Sequence, residues 1–323
     1  MKLDKPLMRK ILKSPYIPPI IAVFGLLIVG ESLTSGYISM NNISSLLMTV
    51  SILSLVAMGQ STVVISGGAG IDLSVGAVMS LTALLGPAAA ITGGFAGLPL
   101  MIVYSAFMGG IVGLLNGMGT QLLKVAPLVM TLIMATVVDG FVLLVTRGLP
   151  TLTISDGLQS VTMTVFGPIR LLTLTIMVFI FAAEFFFLRR SKFWKLLVLT
   201  GNNINAARLS GISVRKITIA AYTFGGMMAG LAGLALVGFA GTAQMQMGRD
   251  YTLLSVAAVV IGGTKLSGGK GSYIGGILGA MVLVLLTNIL QTANMPPGLR
   301  LFFQGLLFII ILMVNSRSAK LRQ

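Results

Sequence analysis

The chain has 323 residues, of which 56% are hydrophobic and only 9% charged, and its mean hydropathy is +1.01. A soluble domain carries about 25% charged residues, so the main solvent of this chain is lipid. It contains no Cys and no His, which excludes disulfides, thiolate catalysis and Cys-based metal sites and removes the commonest general base.

A hydrocarbon core takes ~20 apolar residues per helix, which leaves room for roughly ten crossings. Met1 to Lys13 is basic, but the apolar run that follows has no A-x-A-like site, so no cleaved signal peptide is expected. In chain order the expected spans are Ile17–Ile38, Ile43–Ser66, Ser74–Ile91, Leu98–Met118, Pro127–Thr146, Leu171–Leu188, Ile217–Ala240, Leu253–Thr264, Ser272–Gln291 and Leu299–Val314. The eighth is short for a full crossing and has the length of a broken helix. The fold class is therefore all-α and polytopic. A single transmembrane unit, 17–314, lies between basic tails at 1–16 and 315–323.

Orientation follows from Lys and Arg, which accumulate on the cytoplasmic side. With the N-terminus inside, eighteen of the 22 cations fall in inner segments, seven of them in the 189–216 interval. Only Arg147, Arg170, Arg249 and Arg300 fall at outer ends. Both termini are then cytoplasmic, and the net charge of +15 reflects topology and anionic headgroups, with no need of nucleic acid. Glycines recur four apart at 109, 113 and 117, at 226 and 230, and at 271, 275 and 279. Such rows let helix backbones approach where lipid supplies no hydrophobic drive, and plain packing accounts for them.

The longest polar interval is Gly201 to Lys216, GNNINAARLSGISVRK. Its asparagines favour turns and caps, Asn205 to Leu209 suits a short helix, and Gly211 can end it in a left-handed conformation. Two readings stand: a short helix on the membrane surface, or an ordinary connecting loop.

Three interior features resist assignment to packing. The first is Ser66-Gly67-Gly68-Ala69-Gly70-Ile71-Asp72-Leu73-Ser74, where glycines break the helix and Asp72 can cap the next one by accepting from the Ser74 or Val75 N–H. The second is Asp139, an acid in the outer part of the fifth span. It either faces a pathway or subunit interface, or pairs with a neighbouring cation such as Arg147 or Arg170. Glu31 and Glu184 lie nearer span ends, where snorkelling or a local cation suffices. Gln60, Ser66, Ser74 and Asn116 join Asp72 and Asp139 as candidate polar residues of a pathway. The third feature, Gly262 to Ser272, imitates a phosphate loop but fails on spacing. For Lys270 to be the phosphate lysine, the first glycine would fall at Thr264 and the hydroxyl at Gly271. A tight cytoplasmic turn explains it.

Taken in order, GIDLSVGAVMSL, GNNINAARLSGISVRK and SVAAVVIGGTKLSGGKGSYIGGILGA resemble the membrane permease subunit of ribose-type ABC importers. The superfamily also includes branched-chain amino acid and nucleoside permeases. The resemblance implies the type II importer architecture, with no cofactor and no covalent chemistry in this chain. It also implies a cytoplasmic ATPase, an external binding protein and a second permease as partners in the bacterial cytoplasmic (inner) membrane, and a monosaccharide-like solute. It makes the polar interval a coupling helix that docks on the ATPase, through Gly201, Asn202, Asn203, Ala206, Ala207, Arg208, Ser210, Gly211 and Ile212. Arg147 and Arg249 are then candidate docking residues for the binding protein. The family usually reads S-G-G-I-D-L-S-V-G, whereas this chain inserts Ala69 and Gly70, and it has Asp139-Gly140 where an Arg-Gly pair is common. Two rivals from other classes are an ion-coupled secondary transporter, which would need Asp72 or Asp139 as its relay, and a membrane scaffold.

Overall fold

The computed structural model describes residues 14–90, 94–148, 156–166, 169–188, 190–296, 298–306 and 309. The backbone is helical almost throughout, because a chain surrounded by hydrocarbon must satisfy its own N–H and C=O groups. In chain order the helices are α1 (Ile17–Leu33), α2 (Met40–Ile65), α3 (Val75–Leu85), α4 (Leu98–Gln121), α5 (Pro127–Thr146) and α6 (Asp156–Met163). A two-residue antiparallel ladder comes next, β1 (Val165–Phe166) with β2 (Ile169–Arg170). Then come α7 (Leu171–Ala182), α8 (Lys192–Asn202), α9 (Ile204–Leu209), α10 (Val214–Ala240), α11 (Tyr251–Ile261) and α12 (Tyr273–Thr292). Residues 298–306 are also helical.

Five of these helices, α2, α4, α5, α10 and α12, are long and apolar enough to cross a membrane. The bent pair α7 with α8, which meet at 79°, makes a sixth candidate, and α1, α3 and α11 are shorter apolar helices. Every expected span thus coincides with a helix, several of them shorter than expected. α1 stops at Leu33 because Glu31 accepts from the N–H groups of Gly36 and Ile38, at 3.0 and 2.8 Å, and closes the end of the helix. The third span ends at Leu85, followed by a 3-10 turn at Pro87–Ala90. The tails 1–13 and 315–323, and the end of the tenth span, lie outside the described residues.

α2 is the axis of the fold. Every residue from Val50 to Ile65 is buried, as expected of a helix that is apolar all round. α10 packs along α4 through the glycine rows: a Cβ at Gly113 would meet the Tyr222 carbonyl, and those at Gly226 and Gly230 the carbonyls of Gly109 and Ser105. Gly279 meets α11 at the Ala258 carbonyl in the same way. The outward faces of α1, α5 and α7 expose Phe24, Ile28, Leu132, Leu144, Val178 and Phe181, a composition suited to lipid contact.

The path between α10 and α11 turns back into the molecule. α10 ends at Gly241, whose φ of +75° reverses the chain. Met79 on α3 touches both Gly233 and Gly248. Gly248 therefore sits level with Gly233, about 10 Å back along α10 from its end at 1.5 Å per residue. The Gly248 N–H donates to Ser80 Oγ at 3.1 Å, and Gly76 leaves room for the Gly248 carbonyl and the Thr252 hydroxyl. Residues 241–250 thus fold back into the bundle, and α3 and α11 meet there as two half-length helices.

Candidate functional site

A cavity of about 470 Å³ opens where α3, α5 and the returning segment meet. Its polar lining includes Ser80, Thr136, Asp139, Gln246, Arg249, Asp250 and Gln304. Asp139 is carried by α5, and the cation that acts on it electrostatically is Arg249, whose Nη1 also donates to Gln246 Oε1 at 3.5 Å. Gln246 has a φ of +58°, an uncommon conformation for a residue with a side chain and a mark of a constrained segment. The returning strand of chain therefore presents amide, guanidinium and carboxylate together to one concave wall.

Two expectations are corrected here. Arg249 does not stand at a free outer tip: the return of 241–250 sets it, still exposed, on the wall of the cavity. Asp139 shares the cavity wall with Arg249, whereas Arg147 and Arg170 do not line it. Arg147 does end α5, in a left-handed conformation with φ +52°. Arg170 lies over the Phe239 ring at 5.3 Å, with Nη1 reaching the Thr162 carbonyl at 3.4 Å. No sequence signal marks the return, since 241–250 reads as an ordinary polar loop.

Away from the lining of this cavity, Gln60, Asp72, Ser74 and Asn116 gather at the glycine turn that follows Ser66. Gly67, Gly68 and Ala69 have φ of +84°, +65° and +56°, and the Gly70 N–H donates to the Gly67 carbonyl at 3.1 Å. The inserted Ala69-Gly70 thus completes a tight left-handed turn that sends the chain back along α2. Asp72 Oδ1 accepts from Ser74 N at 2.8 Å and from Ser74 Oγ at 2.6 Å, the capping contact expected of it. Asn116 Nδ2 donates to Ser74 Oγ at 2.8 Å and reaches Asp72 Oδ1 at 3.5 Å. With the Gln60 amide oriented to satisfy both partners, it donates to the Asp72 carbonyl and accepts from the Asp72 N–H, each at 3.2 Å. Ser66 Oγ turns back to the Val63 carbonyl at 2.7 Å. Asp72 is buried and does not line the cavity, whereas its neighbour Leu73 does.

At the lysine-rich end the polar interval folds as the helix reading expects. Asn203 Oδ1 accepts from the N–H groups of Asn205 and Ala206, both at 3.0 Å, and caps α9. The helix closes through Gly211 N to Arg208 O and Ile212 N to Ala207 O, both at 3.0 Å, a Schellman arrangement that needs the left-handed φ of +76° at Gly211. Asn202, Asn203, Ala206, Arg208, Ser210 and Gly211 are exposed, whereas Ala207 faces inward at 3% exposure. Leu209, absent from the expected set, is 90% exposed.

The preceding helix, α8, went unforeseen in a stretch read only as a cationic loop. Ser191 caps it by accepting from Trp194 N at 3.3 Å, and Trp194 packs edge-on against Tyr273 at 5.4 Å. Glu184 is a further correction, since it caps a helix where snorkelling or a local cation was expected. Its carboxylate accepts from Ser272 Oγ, Tyr273 N and Ile274 N at 3.0, 2.7 and 3.4 Å, and so caps α12. Tyr273 Oη in turn shares a 2.9 Å hydrogen bond with Thr62 of α2. The glycine turn 262–272 is the tight turn expected, with Lys265 N donating to Lys270 O at 3.0 Å.

A multi-helix membrane bundle with broken half-helices, an ionisable cavity wall and a capped helix held outside the apolar spans defines a transport permease. Residues 42–312 match the family described as branched-chain amino acid transport system / permease component, and the chain belongs to that family. Among its relatives are the ribose import permease protein RbsC of Escherichia coli K12, 29% identical over 306 residues and 93% of each chain, and that of Bacillus subtilis, 31% identical over 303 residues, 93% of this chain and 92% of the relative. The autoinducer 2 import system permease protein LsrC of Escherichia coli O9:H4 is 30% identical over 306 residues, 93% of this chain and 86% of its own. No solved structure matches. The resemblance to ribose-type importer permeases therefore holds over nearly the whole chain.

Proposed function

We propose that this chain is the non-catalytic membrane permease subunit of an ATP-binding cassette importer, with both termini and the lysine-rich end in the cytoplasm and about ten spans. It would line the translocation pathway for a monosaccharide or sugar-like solute released by an external binding protein. A second permease subunit would complete the pathway, and a cytoplasmic ATPase would drive it. Resemblance to ribose and autoinducer 2 permeases supports the solute class. The wall of Asp139, Gln246, Arg249, Asp250 and Gln304 suits hydroxyl-rich solutes, because it offers donors and acceptors side by side.

One observation carries the mechanical part. Gly201, at the end of α8 and next to the capped helix α9, is wedged against the Ile65 carbonyl at the end of α2, and the turn beginning at Ser66 leads to Leu73 on the cavity wall. A push on α9 would reach the cavity through backbone, with no flexible side chain between. Reading α9 and its flanks as the coupling helix rests on this fastening together with the family resemblance.

The test is reconstitution in proteoliposomes with the ATPase and binding protein encoded beside the gene, using ribose and autoinducer 2 as probes. Uptake should require ATP and all components. Uptake by the chain alone under an ion gradient would overturn the reading in favour of a secondary transporter.

A further inference from the structure

The transport reading leaves one buried charge without a task. Asp72 is 1% exposed and outside the cavity. Its Oδ1 is well supplied with donors, but its Oδ2 has no hydrogen-bond partner. Two neighbouring oxygens share that condition: Asn116 Oδ1 on α4 and the Tyr222 hydroxyl on α10, both on side chains with 0% exposure. Asn116 touches Asp72 through its Nδ2, and Tyr222 packs on α4 beside Asn116, against Gly113 and Gly117, and lines one small cavity with Gly70. No Lys or Arg among the described residues pairs with this carboxylate. An unpaired carboxylate held away from water is costly, and the two orphaned oxygens beside it add to the cost.

We propose that Asp72, Asn116 and Tyr222 hold a monovalent cation of the sodium kind. The donor set is made of oxygen alone, which suits a hard cation. It contributes a single negative charge, which one monovalent ion neutralises. A divalent site would call for further acids, and no group of three His, Cys, Asp or Glu side chains exists among the described residues. Unwound backbone beside a carboxylate is also how membrane proteins commonly bind such ions. The approach is from the side of α9, where a cavity of about 60 Å³ is lined by Gly67, Gly70, Arg208 and Tyr222 among others. The ion would join the start of α3 to α4 and α10, at the level where the glycine turn hands over to the cavity wall.

The test is thermal unfolding of the purified full-length chain in detergent, in sodium chloride and choline chloride of equal ionic strength. For the parent we expect a saturable rise of a few degrees with sodium, as ligand linkage requires. Asp72→Asn, which keeps the shape and removes the charge, should melt at the same temperature in both salts. Tyr222→Phe should keep the rise but need about tenfold more sodium. Coincident parent curves in the two salts would overturn the proposal. So would a sodium response that survives in Asp72→Asn, which would place the ion elsewhere. Should Asp72→Asn fail to fold, Tyr222→Phe decides, and an unchanged half-saturating concentration counts against the site.

Discussion

The N–H of Gly269 donates to the carbonyl of Ile65 at 3.0 Å, and Gly201 is pressed against that same carbonyl. Gly67 and Gly268 close the contact from below, since a Cβ on either would strike the Gly201 or Gly67 backbone. The end of α2, the end of α8 and the turn before α12 are thereby joined backbone to backbone. A side chain at Gly201 has nowhere to go. Gly201→Val should lower stability by about 1–3 kcal/mol or more through overpacking and abolish ATP-driven uptake. Parent-like melting and uptake in that variant would show the junction to be dispensable.

Coupling through α9 separates into an inward and an outward test. Ala207 is buried, so Ala207→Glu would place a charge inside and destabilise the fold by several kcal/mol; its loss of function would say little about docking. Leu209 is 90% exposed, and Leu209→Asp should leave folding within about 0.5 kcal/mol of the parent. Binding of the ATPase to Leu209→Asp should nonetheless weaken by about tenfold or more, as loss of a buried apolar anchor predicts. Titration of the purified ATPase against each variant distinguishes the two positions.

Arg147 and Arg249 occupy different surroundings and should respond differently to substitution. Arg249→Gln alters the cavity wall, so uptake should fall while affinity for the binding protein stays at the parent value. Arg147 lies exposed at the end of α5, and Arg147→Glu should weaken binding-protein capture at low salt. That difference should vanish near 1 M salt, where the Debye length has shrunk to ~3 Å. Equal binding of the Arg147→Glu complex at low salt would remove the docking role.

Glu184 closes three donors at the start of α12, two of them backbone N–H groups. Glu184→Gln keeps the size but loses the charge that favours a helix N-terminus. A loss of about 1–2 kcal/mol is expected, read as a lower melting temperature in detergent. No change on melting would mean the carboxylate is redundant there.

Topology can be labelled without background because the chain has no Cys. Asn205→Cys and Ser267→Cys, both at exposed positions, should react with a membrane-impermeant maleimide only from the cytoplasmic side. Thr242→Cys, exposed at the turn after α10, should react only from outside. Labelling of position 205 from outside would overturn the orientation and the coupling role together.

By itself the sequence determined the solvent of this protein, the place of the long apolar helices along the chain and the kind of permease it is. It also offered asparagines able to cap α9 and a glycine at 211 able to close it. These properties are local: hydropathy sums over neighbouring residues, and caps and turns depend on side chains two or three positions apart. The tertiary structure alone decided partners. Gln60 bonds to the backbone of Asp72, Glu184 caps a helix some ninety residues away, and Arg249 meets the cavity wall because 241–250 doubles back along α10. Apolar composition reports immersion and is silent about which helix a polar atom will meet. In a medium where each buried polar group needs a partner, that meeting is settled by helix packing. Here the glycine rows set how closely α2, α4, α10 and α12 can approach.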